Sequence, residues 1–292
     1  MILRAIHTTT YTYSDPVSLC QSEVHLAPRA TANQSVLSHD LAVVPEPDLS
    51  AARLDYFGNE TFYFSIDEPH QHLSITATSL VDLRGAEPIH PGLTPPWEQV
   101  RDAVRRHDNA DAFDALQFVF ESPRIALGRE FASYAQRCFP AGRPLLEAAL
   151  ELCRRIHREF EYDQRATTVT TPVGEVLRSR QGVCQDFAHI MIACIRSLGL
   201  PARYVSGYLR SADGTVGAQA SHAWASVFCP GFGWLDLDPT NDVLPSTRHV
   251  TLGWGRDYSD VAPVNGVALG GGEQTIVVDV TVTPPEQPAY SI

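Results

Sequence analysis

The sequence predicts an α+β protein in which a small β-rich amino-terminal unit precedes helices that pack on an antiparallel sheet. Three observations carry this. Stretches within residues 1–84 alternate in polarity, as in Thr8-Thr9-Thr10-Tyr11-Thr12-Tyr13 and Leu73-Ser74-Ile75-Thr76-Ala77-Thr78, which is the period of a half-buried strand. From Trp97 to Phe160 the apolar residues instead recur at three- and four-residue steps, the period of a helix. Strand-like runs then return, and helices followed by strands point to an α+β core rather than to alternating parallel units.

Each element follows in order. Asp55-Tyr56-Phe57-Gly58-Asn59-Glu60 lies between two strand-like runs and has the composition of a hairpin turn. Gly85 to Pro96 is rich in Gly and Pro, which favour irregular backbone, so the amino-terminal domain is expected to end there. Leu145, Ala149, Leu152, Ile156 and Phe160 form one helix face, with Pro144 suited to its first turn. A further helix is expected from Val183 to Leu198, stopped by Gly199-Leu200-Pro201. Strands are expected at Arg203–Leu209, Ala220–Phe228 and Trp234–Leu237, with a turn at Ala212-Asp213-Gly214-Thr215, and a last one at Thr275–Val282 after Gly270-Gly271-Gly272. The expected division is a β domain over 1–84, a helical linker region over 85–143 and a core over 144–292.

A chain of 292 residues with 44% hydrophobic and 19% charged residues has the composition of an ordinary globular protein, so it is expected to fold without a cofactor. Its net charge of −12 disfavours phosphate backbones and anionic lipid surfaces, which argues against nucleic acid and membranes as partners. The first residues lack the pattern of a signal peptide and no stretch is long and apolar enough to span a bilayer, so a cytoplasmic location is expected. The six cysteines show no close-set framework and read as free, mostly buried thiols.

Cys184 starts the helix in Gly182-Val183-Cys184-Gln185-Asp186. There the unpaired N–H groups and the helix dipole favour a thiolate and can also donate to an oxyanion. His222 lies on a strand, sharing a face with Trp224, Ser226 and Phe228. The strand Gly233 to Asp238 supplies two acids, Asp236 and Asp238, which share a face. Position favours Asp238, because it ends the strand before Pro239, where the chain turns. Spacing alone leaves open a core histidine satisfied by a nearby acid. Trp224 and Tyr162 are candidates to wall an acyl site, and Asp186 either contacts substrate or stabilises the helix start. His189, five residues past Cys184, is turned away from the thiol and reads as structural. His70 and His72 lack a third ligand and read as surface histidines, so no metal site is expected. The three glycines at 270–272 lack the residues of a phosphate loop and read as a flexible connection. Arg256-Asp257-Tyr258 is a further segment that could face the cleft.

The blocks Gly182-Val183-Cys184-Gln185-Asp186-Phe187-Ala188-His189, Arg196 to Tyr208, His222-Ala223-Trp224 and Gly233 to Thr240, in this order, resemble the transglutaminase-like superfamily. The amino-terminal segment and Gly255 to Val264 resemble its bacterial two-domain members. The resemblance implies a papain-like core with Cys184 as nucleophile, His222 as general base and then acid, and Asp238 orienting the imidazole, expected to do so through Nδ1–H. It implies an enzyme acting on amide bonds of peptide or protein substrates, a cysteine peptidase or amidase, with acyl transfer to an amine as the variant outcome. The rival reading is a non-catalytic peptide-binding or scaffold protein on the same fold.

Overall fold

The computed structural model describes residues 1–211, 216–217 and 220–285; the turn expected at Ala212-Asp213-Gly214-Thr215 lies outside the described residues. The amino-terminal part forms five strands, β1 (Ile2–Val24), β2 (Gln34–Val44), β3 (Leu49–Leu54), β4 (Glu60–Ile66) and β5 (His70–Leu83). Four helices follow, α1 (Trp97–Arg106), α2 (Ala110–Leu116), α3 (Arg129–Gln136) and α4 (Leu145–Glu159). After the short β6 (Glu161–Tyr162) come α5 (Val173–Ser179), β7 (Gln181–Gly182) and α6 (Cys184–Ser197). The chain then forms β8 (Ala202–Leu209), β9 (His222–Cys229), β10 (Gly233–Leu237), β11 (His249–Gly255), β12 (Val264–Gly270) and β13 (Gln274–Thr283).

Alternation of side chains along β1 puts Leu3, Ala5, His7 and Thr9 inside, as the period-two pattern requires. This strand is long enough to organise a whole sheet. Its first half pairs with β5 and β13, its second half with β4 and β12, all antiparallel. The last two strands therefore belong to the amino-terminal sheet, which corrects the expectation that all of 144–292 forms the core. Alternation identified Thr275–Val282 as a strand, but it carries no information about which edge that strand joins. The three glycines at 270–272 have positive φ and form the turn between β12 and β13, held by Gly271 N–H donating to Pro16 O at 3.2 Å. That is a fixed turn rather than a flexible connection.

Helix α6 is buried from Asp186 to Arg196, and a helix enclosed on all sides is the centre of its domain. On one side it meets α3, α4 and α5, and on the other Ala202, Tyr204, Ala223, Ala225, Val227, Leu235 and Leu237 of the sheet. Trp97, Val100, Phe131 and Phe139 share this core, so the helices of the expected linker region are part of it.

The core sheet has the order β10-β9-β8-β11. Strand β11 was not expected from the sequence, because the irregular register between Thr251 and Gly253 interrupts its alternation. It is an edge strand, and the β domain satisfies that edge with side-chain amides. Gln34 donates through Nε2 to Thr251 O at 2.7 Å and accepts from Thr251 N–H at 2.9 Å. Asn59 repeats this at Trp254, with 2.9 and 3.1 Å. Tyr208, Val250 and Leu252 complete the contact by packing with Phe64, Ile66, Leu73 and Ile75. Gln34→Ala removes the partner of the Thr251 N–H and of the Arg29 carbonyl, which Gln34 Nε2 also meets at 2.7 Å, while Thr251 O keeps the Arg29 N–H at 3.1 Å; it is expected to lower unfolding free energy by about 1–3 kcal/mol. Urea denaturation checks this, and an unchanged midpoint would mean that water replaces both bonds.

Candidate active site

Cys184 is the first helical residue of α6, preceded by Val183 in extended conformation. Valine has no side chain able to cap the helix, and Asp186 takes that role from within the first turn. Its Oδ2 accepts from Val183 N–H at 2.9 Å and from the Thr167 hydroxyl at 2.6 Å. The carboxylate is buried, so Asp186 stabilises the helix start and is not available to a substrate, which corrects its candidate binding role. Gly182 is required by the same contact, because a Cβ there would come within 2.6 Å of Asp186 Oδ2. The thiol is thus set on a helix end whose first N–H groups have no partners within the helix.

Cross-strand pairing brings His222 and Asp238 together. The β9–β10 register, with Asp236 opposite Ser226 and Leu237 opposite Ala225, leads Asp238 towards the start of β9. His222 Nε2 lies 2.8 Å from Asp238 Oδ2, with both side chains fully buried. The nitrogen engaged is Nε2, not the expected Nδ1. Because Nε2 is taken, Nδ1 is the nitrogen left to face the Cys184 thiol; it is buried and makes no fully aligned hydrogen bond. The thiol itself lies 4.0 Å from the Ser221 carbonyl and is 8% exposed. Burial works against the imidazolium, but the bond to Asp238 and the neighbouring Cys184 sulfur outweigh it and lift the His222 pKa to about 10.

Asp238 is the most heavily bonded side chain here. Besides His222, its Oδ2 accepts from Asn241 Nδ2 at 2.9 Å and His249 Nε2 at 3.2 Å, while Oδ1 accepts from the N–H groups of Thr240 and Asn241 at 2.9 and 3.3 Å. Burial alone would raise its pKa, yet these donors hold it well below the usual carboxylate range. Asp236, which shares its strand face, is directed at the Arg203 side of the sheet and makes no bond to His222.

Tyr162 stands beside the thiol. Burial, and next the charge of Cys184, push its phenol to about 12. Trp224, by contrast, is fully enclosed and packs edge-on against His249 at 5.3 Å; it supports the site from beneath and does not wall an open cleft, because its strand position turns it to the far face of the sheet. His189 is buried and accepts from Tyr258 N–H at 3.2 Å, as a structural residue does. Asp257 accepts from Arg124 N–H at 2.8 Å and is fully buried, so the Arg256-Asp257-Tyr258 segment braces α6 rather than facing the thiol. His72 is exposed as expected, but His70 is buried, with Nδ1 donating to Glu68 O at 2.8 Å. All six cysteines are free and buried.

Three contributors were not read from the sequence. His249 lies on the unexpected strand β11 and had no local signal. Asn241 ties Asp238 to the next loop, exchanging bonds with Val216 at 3.0 and 3.3 Å; its place just after Asp238-Pro239-Thr240 was the available cue. Gly217 has φ +81°, and a Cβ there would lie 3.0 Å from His222 Nδ1. His222, Asp238 and His249 also form a group whose ligand atoms lie within 4.8 Å of one another, a geometry able to hold a metal ion. Those atoms already bond to each other, so the set is satisfied as a proton network.

The profile of the bacterial transglutaminase-like N-terminal region matches residues 3–82 and that of the transglutaminase-like superfamily matches residues 132–239. An uncharacterized protein of Mycobacterium tuberculosis is 39% identical, over 96% of this chain and 92% of its own length. A protein-glutamine gamma-glutamyltransferase of Pseudomonas aeruginosa is 34% identical over 34% of this chain and 16% of its own. Among solved structures, one described as a candidate cysteine protease of Cytophaga hutchinsonii superposes with a TM-score of 0.76 at 22% identity, covering 98% of this chain and 91% of that one. Two matched regions in sequence order, relatives aligned over nearly the full length and a shared fold place this chain in the transglutaminase-like superfamily.

Proposed function

We propose that this protein is a thiol acyl-transfer enzyme in which Cys184 is the nucleophile, His222 the general base and acid, and Asp238 the group that orients and charges the imidazole. The observation that carries the reading is the buried 2.8 Å bond between His222 Nε2 and Asp238, which leaves Nδ1 to serve a thiol on a helix start. In this reading the Cys184 sulfur attacks an amide carbonyl, and first-turn N–H groups of α6 receive the oxyanion. His222 gives its Nδ1 proton to the departing amine as the C–N bond breaks, leaving a thioester. Water then adds to the thioester carbonyl, losing its proton to His222, and the C–S bond breaks to release the carboxylic acid. Hydrolysis of a peptide or protein amide is the favoured outcome, since water is the default acceptor; a primary amine in its place gives the transglutaminase-type product. Six free, buried thiols fit a reducing compartment, which supports the cytoplasm. No helix among the described residues is long and apolar enough to cross a membrane.

Cys184→Ala is expected to abolish turnover by several orders of magnitude with the fold retained, because no other group replaces a nucleophile. Mass spectrometry of peptides incubated with the protein, with and without a primary amine, reads cleavage and amine adducts directly. Near wild-type turnover in the alanine variant would refute the mechanism.

The two acids are expected to separate sharply. Asp238→Asn removes the charge that keeps His222 protonated, and should lower kcat/KM by up to about 10⁴, the scale of the equivalent loss in serine enzymes. Asp236→Asn should cost less than about tenfold, because Asp236 makes no bond to His222. The pH profile gives an independent reading. A raised histidine pKa means that the imidazolium persists through neutrality and is lost as pH rises through about 10, so the alkaline limb lies there and moves to lower pH in Asp238→Asn. The reverse ranking of the two variants would reassign the orienting acid.

Activity is also expected to be unchanged by a chelator, because the group at His222, Asp238 and His249 is bonded internally. Inactivation by a chelator, restored by zinc, would overturn this.

A further inference from the structure

The face of the core sheet turned away from α6 holds a cavity of about 300 Å³. Register lays Arg203, Ser226 and Asp236 in one row across β8, β9 and β10, with Trp224 in the next row. Their alternating neighbours Ala202, Tyr204, Ala225, Val227 and Leu235 are in the core with α6, so this row faces the opposite way. Loops of the β domain, at Asn33 and Arg84, close the other side.

Several polar atoms in and beside this row are enclosed without hydrogen-bond partners. Arg203 is 9% exposed, and Trp224 and Ser226 are fully enclosed. Among the described residues, Arg203 Nε, Trp224 Nε1, Ser226 Oγ and Asp236 Oδ1 have no hydrogen-bond partner. Arg203 and Asp236 both line the cavity, and an unpartnered buried polar atom costs about 1–3 kcal/mol, a charged one more, so opposite charges on the wall of one cavity favour an occupant that bonds them. The guanidinium is fixed by stacking, with its carbon 4.3 Å from the centre of the Trp234 ring and 3.8 Å from that of Trp254. The two indoles hold the guanidinium plane in place, and its N–H edge is the one that binds carboxylates.

We propose that this cavity binds a free α-amino acid with an apolar side chain, as its zwitterion. Charge complementarity selects the class. The Arg203 guanidinium provides donors for a carboxylate, and Asp236 provides the acceptor for an ammonium. A simple anion would face the carboxylate of Asp236, and a simple cation would face Arg203; a zwitterion satisfies both. The side chain also has a place. An apolar recess of about 600 Å³ joins the cavity at Asn33, Trp234, Asp236 and Ser246 and is walled by Ile89, Leu146, Phe232 and Leu244. His249 lines the polar cavity and bonds Asp238, so the occupant lies one residue away from the acid that partners His222.

Titration calorimetry of the whole protein with L-leucine and L-phenylalanine tests the site. The controls are 4-methylpentanoate and 3-phenylpropanoate, which lack the amine, and 3-methylbutylamine and 2-phenylethylamine, which lack the carboxylate. Saturable one-site binding of at least one amino acid is expected, with its two truncated analogues weaker by at least about tenfold because each leaves a buried charge unmatched. Asp236→Asn, close in shape to the original, should weaken binding by a similar factor. Cys184→Ala should bind as the wild type does, which separates this site from the proposed reaction. No saturable binding of either amino acid at millimolar concentration, equal binding of the analogues, or affinity unaffected by Asp236→Asn would each overturn the proposal.

Discussion

The buried carboxylate of Asp238 is the interaction on which the rest of the site depends. A charge enclosed in protein is tolerated only when it is paired and fully bonded, and here two histidines, one side-chain amide and two backbone N–H groups meet it. That arrangement fixes three things together. It orients the His222 ring so that Nδ1 faces Cys184, it favours the charged imidazolium, and through Asn241 it anchors the backbone at Val216 beside the histidine. His249 contributes through both ring nitrogens, with Nδ1 placed to accept from Ser246 N–H at 3.4 Å and Nε2 to donate to Asp238 at 3.2 Å.

The carboxylate can be held this way because the core sheet is covered on both faces. Helix α6 buries one face and brings the thiol to the strand ends. The β domain covers the other face, bonding the free edge of β11 with Gln34 and Asn59 and adding Phe64, Ile66 and Leu73 to the apolar contact with Val250 and Leu252. Strand β11 carries His249, so the β domain reaches the site through that strand. His7 extends this joint: its Nδ1 lies 3.0 Å from the Tyr208 hydroxyl, and burial lowers its pKa to about 4 despite Asp279 nearby. The neutral form is the folded form, so this joint is fully stabilising above the unfolded pKa of about 6.5 and loses that contribution as pH falls towards 4. The two units behave as parts of one structure, and the return of β12 and β13 to β1 ties both chain segments into the same sheet.

By itself, the sequence determined what local pattern can encode. The period-two and period-three-to-four spacings gave the strands β8, β9, β10 and β13 and helices α4 and α6 to within about two residues, and the position of Cys184 at a helix start followed from Gly182 before it and Gly199-Leu200-Pro201 after. The preference for Asp238 over Asp236 was also local, since a residue before a proline turn can reach a neighbouring strand. Tertiary structure decided everything that depends on partners distant in the chain. It chose which imidazole nitrogen meets the acid, because ring orientation is set by Asp238, His249 and Gly217 together. It enlisted Asp186 in the helix start and enclosed Trp224 against His249. It sent the last two strands to β1, and it placed the uncapped charges of Arg203 and Asp236 opposite each other across β9. Alternation states which face a residue occupies, but long-range pairing states what that face meets, and no local period carries that information.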